Sequence, residues 1–196
     1  MRIIAGEHRG RRLAAPPGSG TRPMLDRVRV ALFDTLGARP EDGRVLDLFA
    51  GSGSLGLEAL SRGAVFARLV ERDPGALAAL RRNVELLGLT GCAEILRGDA
   101  LAESAWIPPD EGSPPAWVDV CFLDPPYPWL RDERRGALFA ALRRLALEIL
   151  TPDGVLVLHA PKRAVTEVDF GPGLALRQRS YGSSCLWYVE PEEGAA

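Results

Sequence analysis

Two short stretches of this sequence carry groups that can do chemistry. The first reads Asp47-Leu48-Phe49-Ala50-Gly51-Ser52-Gly53-Ser54-Leu55-Gly56. Glycines let a backbone turn sharply and approach a ligand closely. Gly51, Gly53 and Gly56 fit the dinucleotide fingerprint, with Glu71 where a ribose-binding acid is expected. Taken alone, that pattern fits a nicotinamide or flavin cofactor, and equally a plain tight strand-to-helix turn. Asp47 argues differently, because a carboxylate just ahead of the glycines repels a pyrophosphate and suits a cationic ligand. The second stretch is Asp124-Pro125-Pro126-Tyr127. Prolines donate no N–H and stiffen the chain, so the carbonyls beside them remain acceptors. A carboxylate, free carbonyls and an aromatic face together suit a planar ring that bears an exocyclic amine.

Such groups need elements that hold them at one end of a sheet. From Arg44 onward, short apolar runs alternate with helical periodicity. Strands are expected at Val45–Phe49, Val65–Val70, Ala93–Leu96, Val118–Leu123 and Val155–His159. Helices are expected over about Leu55–Ser61, Pro74–Leu87 and Asp132–Leu150, and a closing hairpin joins Leu174–Arg179 to Cys185–Val189 around Gly182. This alternation argues for a parallel, doubly wound sheet with helices on both faces. In such sheets ligands bind beyond the carboxyl ends of the strands, where Asp47, Glu71, Asp99 and Asp124 all fall. Ahead of this core, residues 2–14 read as a β-hairpin, followed by a Pro/Gly linker. A helix capped by Asp26 runs to about Leu36, with Val28, Leu32, Phe33 and Leu36 on one face. Pro108–Pro115 reads as a surface loop and residues 191–196 as a frayed tail.

The 196 residues suit a domain of ordinary size, and 46% hydrophobic content excludes intrinsic disorder. No apolar run is long enough for a membrane span, and Met1–Gly6 opens no secretory signal, so the cytoplasm is the expected location. The net charge of −2 hides an asymmetry. Residues 1–30 carry seven Arg against Glu7 and Asp26, a balance of +5 that leaves −7 on the remainder. A basic arm on an acidic body points to polyanion contact through one end. Cys92, Cys121 and Cys185 form neither a disulfide framework nor a metal-binding pair, and no metal is expected. His8 and His159 have no triad around them and read as structural or polyanion-contacting groups.

The glycine loop Asp47–Gly53 together with Asp124-Pro125-Pro126-Tyr127 resembles the S-adenosylmethionine-dependent amino-methyltransferases of nucleic acids. The stretches Met1-Arg2-Ile3-Ile4-Ala5-Gly6, Arg9-Gly10-Arg11, Arg22-Pro23 and Asp26-Arg27-Val28-Arg29 narrow the resemblance to the RsmD family of bacterial 16S rRNA guanine-N2 methyltransferases. One departure is Met24-Leu25, which stands where that family has small hydroxylated residues, and it removes a side-chain hydrogen bond from that position.

The resemblance implies a Rossmann-like class I methyltransferase fold: a seven-stranded, mostly parallel sheet with helices on both faces and an N-terminal β-hairpin extension. It divides the chain into the hairpin and linker at 1–20, in contact with RNA, the methyltransferase domain at 21–190, and the tail. It implies that Phe49, Ala50, Gly51, Ser52 and Gly53 cradle the cofactor, with Asp47 near its ammonium group. Glu71 and Arg72 would meet its ribose, and Asp99 and Ala100 its adenine. Asp124, Pro125, Pro126 and Tyr127 would hold and stack the target base, while Arg2, Arg9, Arg11, Arg12, Arg22, Arg27 and Arg29 grip RNA. The product would be S-adenosylhomocysteine, and the partner 16S rRNA in the small ribosomal subunit or an assembly intermediate. Oligomeric state is not readable from the sequence, and a monomer is the expectation. The rival readings are a DNA adenine-N6 methyltransferase and an NAD-dependent oxidoreductase. The first lacks room here for a target-recognition domain, and the second lacks a convincing proton-relay set.

Overall fold

The computed structural model describes residues 1–16, 24–109 and 114–192. Seven strands form a mostly parallel sheet, and the chain divides into two compact units, Met1–Ala100 and Leu101–Ala196.

The first unit contains α1 (Asp26–Leu36), β1 (Arg44–Leu48), α2 (Gly56–Ser61), β2 (Phe66–Glu71), α3 (Pro74–Leu87) and β3 (Ala93–Arg97). Its strands run parallel in the order β3-β2-β1, with Asp47 level with Leu69 and Val70 level with Leu96. Val45 to Leu48 and Ala67 to Val70 are unbroken buried runs, the pattern of parallel strands covered on both faces. In α1 the expected face of Val28, Leu32, Phe33 and Leu36 is buried. Asp26 does not cap this helix. Leu25 is the cap residue and makes no side-chain bond, while Asp26 sits in the first turn and pairs with Arg29. α3 is bounded on both sides by local chemistry. Asp73 accepts from the Ala76 N–H at its start, and left-handed Gly88 ends it.

The N-terminal hairpin is closed by the antiparallel bridge Arg2–Arg12. It docks on α2 through polar groups. The buried Glu58 carboxylate accepts from the N–H groups of Ile4 and Ala5, at 2.7 and 3.0 Å. Ser61 donates to the Ala5 carbonyl and accepts from the His8 N–H. Gly6, at φ +79°, lies so close that a Cβ there would stand 1.6 Å from the Ser61 carbonyl oxygen. The linker residues 17–20 lie outside the described residues.

The second unit contains β4 (Val118–Leu123), α4 (Arg134–Arg144), β5 (Leu150–Pro161), β6 (Leu174–Tyr181) and β7 (Ser184–Pro191). Their order is β4-β5-β7-β6, with β4 parallel to β5 and the last two strands antiparallel. The long helix expected at 132–150 is shorter. It begins at Arg134, passes into a π-helical turn at Leu145–Ile149, and gives way to strand at Leu150. β5 starts five residues before its expected start, because its pairing with β4 continues past an irregularity between Val118 and Val120 to set Leu150 level with Val118. Gly154 sits at that irregularity, where a Cβ would meet the Val118 carbonyl oxygen at 2.8 Å. β7 reaches Pro191, so the expected tail begins inside a strand; residues 193–196 lie outside the described residues.

Candidate active site

In the first unit the chain leaves β1 through Phe49, which holds a left-handed φ of +70°. A side chain rarely adopts that conformation, and such outliers mark functional turns. Asp47 is 1% exposed, and its Oδ2 accepts from the Gly56 N–H at 2.9 Å, closing the loop from strand to helix. Its carboxylate therefore acts on the loop backbone. Glu71, half-buried at the end of β2, accepts from three backbone N–H groups. Oε2 takes Gly51 at 2.8 Å, and Oε1 takes Arg72 at 2.7 Å and Asp73 at 2.8 Å. A carboxylate has about four acceptor sites, so about one is left for a ligand hydroxyl.

The loop is closed to a pyrophosphate. The N–H of Gly51 goes to Glu71, that of Gly53 to the Ala50 carbonyl, and that of Gly56 to Asp47. A dinucleotide site needs such groups pointing at phosphate. What the loop offers instead is acceptors and open space. Gly51 at φ +58° has nothing within 4 Å of where a Cβ would stand, whereas a Cβ on Gly53 would press on Leu80 and Leu57. These residues fit a ligand with hydroxyls and a positive charge, as S-adenosylmethionine has.

The remaining residues of this half are in keeping with that layout. Ala50 is buried and donates its N–H to the Val70 carbonyl. Ser52 is buried, and its carbonyl accepts from Asn83. Arg72 and Asp99 are exposed beyond β2 and β3, and Ala100 is buried. Asn83 was not singled out from sequence as a site residue. It is fully buried on α3 and holds the Ala14 N–H and carbonyl as well as the Ser52 carbonyl, so one amide ties the base of the hairpin to the glycine loop. A carboxamide on the apolar face of a helix was the available signal.

In the second unit, β4 ends in buried Leu123, and Asp124 follows with its side chain 29% exposed. The Pro126 carbonyl accepts from the Trp129 N–H at 2.9 Å, starting a 3₁₀ turn at Tyr127–Leu130 that buried Trp129 and Leu130 anchor. The Pro125 carbonyl accepts no hydrogen bond among the described residues. Tyr127 is 40% exposed, its ring available for stacking. His159, which sequence reasoning left without partners, lies against both. Its Nδ1 is 2.8 Å from Asp124 Oδ1 and its Nε2 is 3.4 Å from the Tyr127 hydroxyl.

Arg2, Arg9, Arg11, Arg12 and Arg27 are exposed, as a polyanion contact requires. Arg22 lies outside the described residues. Arg29 is a correction. It is 0% exposed, and Nη2 donates to the Arg2 carbonyl and to Asp26, so the guanidinium pins the hairpin from inside and is out of reach of RNA. Burial pulls it below the usual arginine value, against Asp26 and Glu58. Its alternation with exposed Arg27 was readable from helical spacing, since Arg29 shares the face of Val28 and Leu32.

A family model described as "Conserved hypothetical protein 95" matches residues 1–190. The chain belongs to this family, the RsmD methyltransferases. It is 41% identical over 171 residues to the ribosomal RNA small subunit methyltransferase D of Escherichia coli K12, across 87% of this chain and 77% of that one. Among solved structures, a hypothetical protein of Thermus thermophilus matches with TM-score 0.74 and 35% identity, over 97% of this chain and 99% of that one. An RNA methyltransferase from Salinibacter ruber, solved with S-adenosyl-L-homocysteine, shares the fold with TM-score 0.60 at 18% identity, over 87% and 95% of the two chains. The RsmD match runs through the hairpin, the glycine loop and the Asp-Pro-Pro-Tyr segment alike.

Proposed function

We propose that this RsmD-family protein transfers the methyl group of S-adenosyl-L-methionine to the exocyclic N2 amine of a guanine in 16S ribosomal RNA, leaving S-adenosyl-L-homocysteine. Family membership supports the coarser statement, that it methylates ribosomal RNA. The finer one rests on the end of β4. There a carboxylate, a proline carbonyl without a donor among the described residues, and an exposed tyrosine ring stand in four consecutive residues. That set matches a flat base with an amine on its edge.

The bound cofactor supplies an electrophilic methyl carbon. The residues that would hold it are the loop Phe49–Gly53, Glu71 with Arg72, and Asp99 with Ala100, while Asp47 keeps the loop shut. Asp124 does the central work. An aryl amine is a poor nucleophile because its lone pair is delocalised into the ring. Acceptance of its two hydrogens by Asp124 Oδ2 and the Pro125 carbonyl makes the nitrogen more pyramidal and directs the lone pair. The N–C bond then forms as the C–S bond breaks, and the ammonium so produced loses its proton to Asp124. Much of the acceleration is positioning. Tyr127 contributes about 1–3 kcal/mol by stacking on the base. Exposed Arg2, Arg9, Arg11, Arg12 and Arg27 hold phosphates around a target flipped from a loop of RNA. The substrate is the small subunit or an assembly intermediate in the cytoplasm, and the enzyme works as a monomer. Among the described residues no helix is long and apolar enough to cross a membrane.

The test is transfer of a labelled methyl group to 16S RNA, or to small subunits lacking the modification, followed by nucleoside analysis. N2-methylguanosine is expected. N6-methyladenosine, the product of the rival adenine chemistry, overturns the guanine assignment.

A further inference from the structure

His159 is the one buried histidine among the described residues, 4% exposed near the end of β5, and both of its ring nitrogens face residues of the Asp-Pro-Pro-Tyr segment. A carboxylate accepts and does not donate, so Nδ1 carries the hydrogen in the 2.8 Å bond to Asp124 Oδ1. In the neutral ring Nε2 is then an acceptor, and the Tyr127 hydroxyl, 3.4 Å away, is the donor that faces it. The two rings meet edge-on, with centroids 5.8 Å apart and planes at 65°. Asp124, directly after β4, and Tyr127, at the start of a short 3₁₀ turn, are both partly exposed and lie outside the strands and long helices. His159 sits on a buried strand, and β5 is paired on both sides. The rigid strand therefore meets both side chains through one imidazole.

We propose that His159 is a positioning residue for methyl transfer. It holds Asp124 Oδ1 so that Oδ2 is turned to the target amine, and it sets the plane of the Tyr127 ring against which the base stacks. One side chain thereby couples the acceptor of the amine to the platform for its ring, so both are aligned before the base arrives. This rests on the amine-methylation reading above, and the experiment separates the two.

Three substitutions divide the roles of the two nitrogens. His159→Asn puts an amide N–H in the place of Nδ1, His159→Gln puts an amide oxygen, an acceptor for the Tyr127 hydroxyl, in the place of Nε2, and His159→Phe keeps the ring shape with neither. Single-turnover methyl transfer, S-adenosylmethionine affinity and Tm are measured for each. His159→Phe is expected to lower kcat by about 100-fold, the effect of misplacing a catalytic group by roughly an ångström, with cofactor affinity unchanged. His159→Asn is expected to recover most of that loss and His159→Gln little of it. Tyr127→Phe, which removes only the partner of Nε2, is expected to lower kcat less than His159→Phe does. Near-wild-type kcat in His159→Phe overturns the proposal. So does an equal loss in His159→Asn and His159→Phe that follows their loss of Tm, the mark of a merely structural role. If the wild type itself transfers no methyl group to a base amine, it is the functional reading that fails, whatever the variants do.

Discussion

The two units treat their functional carboxylates in opposite ways. In the first, Asp47 and Glu71 accept from the Gly56 and Gly51 N–H groups of the glycine loop, and Glu71 also from Arg72 and Asp73, so both acids are tied to backbone. In the second, Asp124 is held at one oxygen by a side chain, and its other oxygen has no partner among the described residues. A loop that must fit the same small cofactor at every turnover gains from having its acceptors fixed by backbone. A carboxylate that must accept from a substrate needs a lone pair left open. On the proposed function the contrast separates binding from chemistry, and it can be broken residue by residue.

The largest effect falls on the open carboxylate. Asp124→Ala is expected to lower the methyl-transfer rate by roughly 100- to 10,000-fold, the range for a positioned proton acceptor, while calorimetric affinity for S-adenosylmethionine stays near wild type. Full activity in Asp124→Ala would sink the mechanism. The reverse pattern is expected in the first unit. Gly53→Ala forces φ +84° on a residue whose Cβ would lie 2.5 Å from Leu80 Cδ1 and 2.9 Å from Leu57 Cδ1. It should destabilise the fold by about 1–3 kcal/mol and weaken cofactor binding, with single-turnover kcat at saturating cofactor much less affected. If Gly53→Ala instead lowers kcat at full cofactor occupancy as Asp124→Ala does, the division between the halves is wrong.

How much of this was legible in the sequence follows the same divide. β1 and β2 are largely apolar runs closed by glycine or acid, and both signals are local, so β1, β2 and α3 fall within a residue or so of their expected places. The start of β5 was not legible, because it depends on an irregular pairing with β4 far away in sequence. The same reason hid His159. Its partners lie 35 and 32 residues away, and nothing in a Val-Leu-His-Ala run says what stands across the next strand. Glu71 shows the limit in another form. Spacing marked it as an acid at a strand end, but not that three backbone N–H groups would already occupy most of its acceptors.

The basic arm allows a sharper comparison, between arginines outside and inside. Replacing Arg9, Arg11 and Arg12 together with Ala is expected to weaken RNA binding and flatten the salt dependence by about two in the log–log slope, at roughly 0.7 per phosphate contact on a single strand. Arg29→Ala should leave that slope alone and lower Tm instead, since it empties a buried site beneath the hairpin. Filter-binding titrations at several salt concentrations separate the two. An unchanged slope in the triple variant would remove the arm from the RNA interface.

The smallest effect concerns the ion pair Arg135–Asp169, which meets the second site only at the far end of its 3₁₀ turn, where Arg135 donates to the Leu130 carbonyl. Burial alone would raise the Asp169 carboxyl, but the Thr166 N–H, the Arg135 guanidinium and the Thr166 hydroxyl outweigh it and hold the group below its usual value. A folded-state value below the unfolded one means that Asp169 stabilises the protein at neutral pH. That contribution disappears as pH falls through the folded-state value. Asp169→Asn should therefore lower stability at pH 7 by about 1 kcal/mol or less, the scale of a partly exposed pair, and leave it unchanged once the wild-type carboxyl is protonated. Denaturation profiles of the two proteins should converge on the acid side and part toward neutrality. Profiles that run parallel across the whole range would show that Asp169 acts through the capping turn at Thr166 and not through its charge. Because this pair touches neither carboxylate system above, methyl transfer and cofactor affinity at pH 7 should be the same in both proteins.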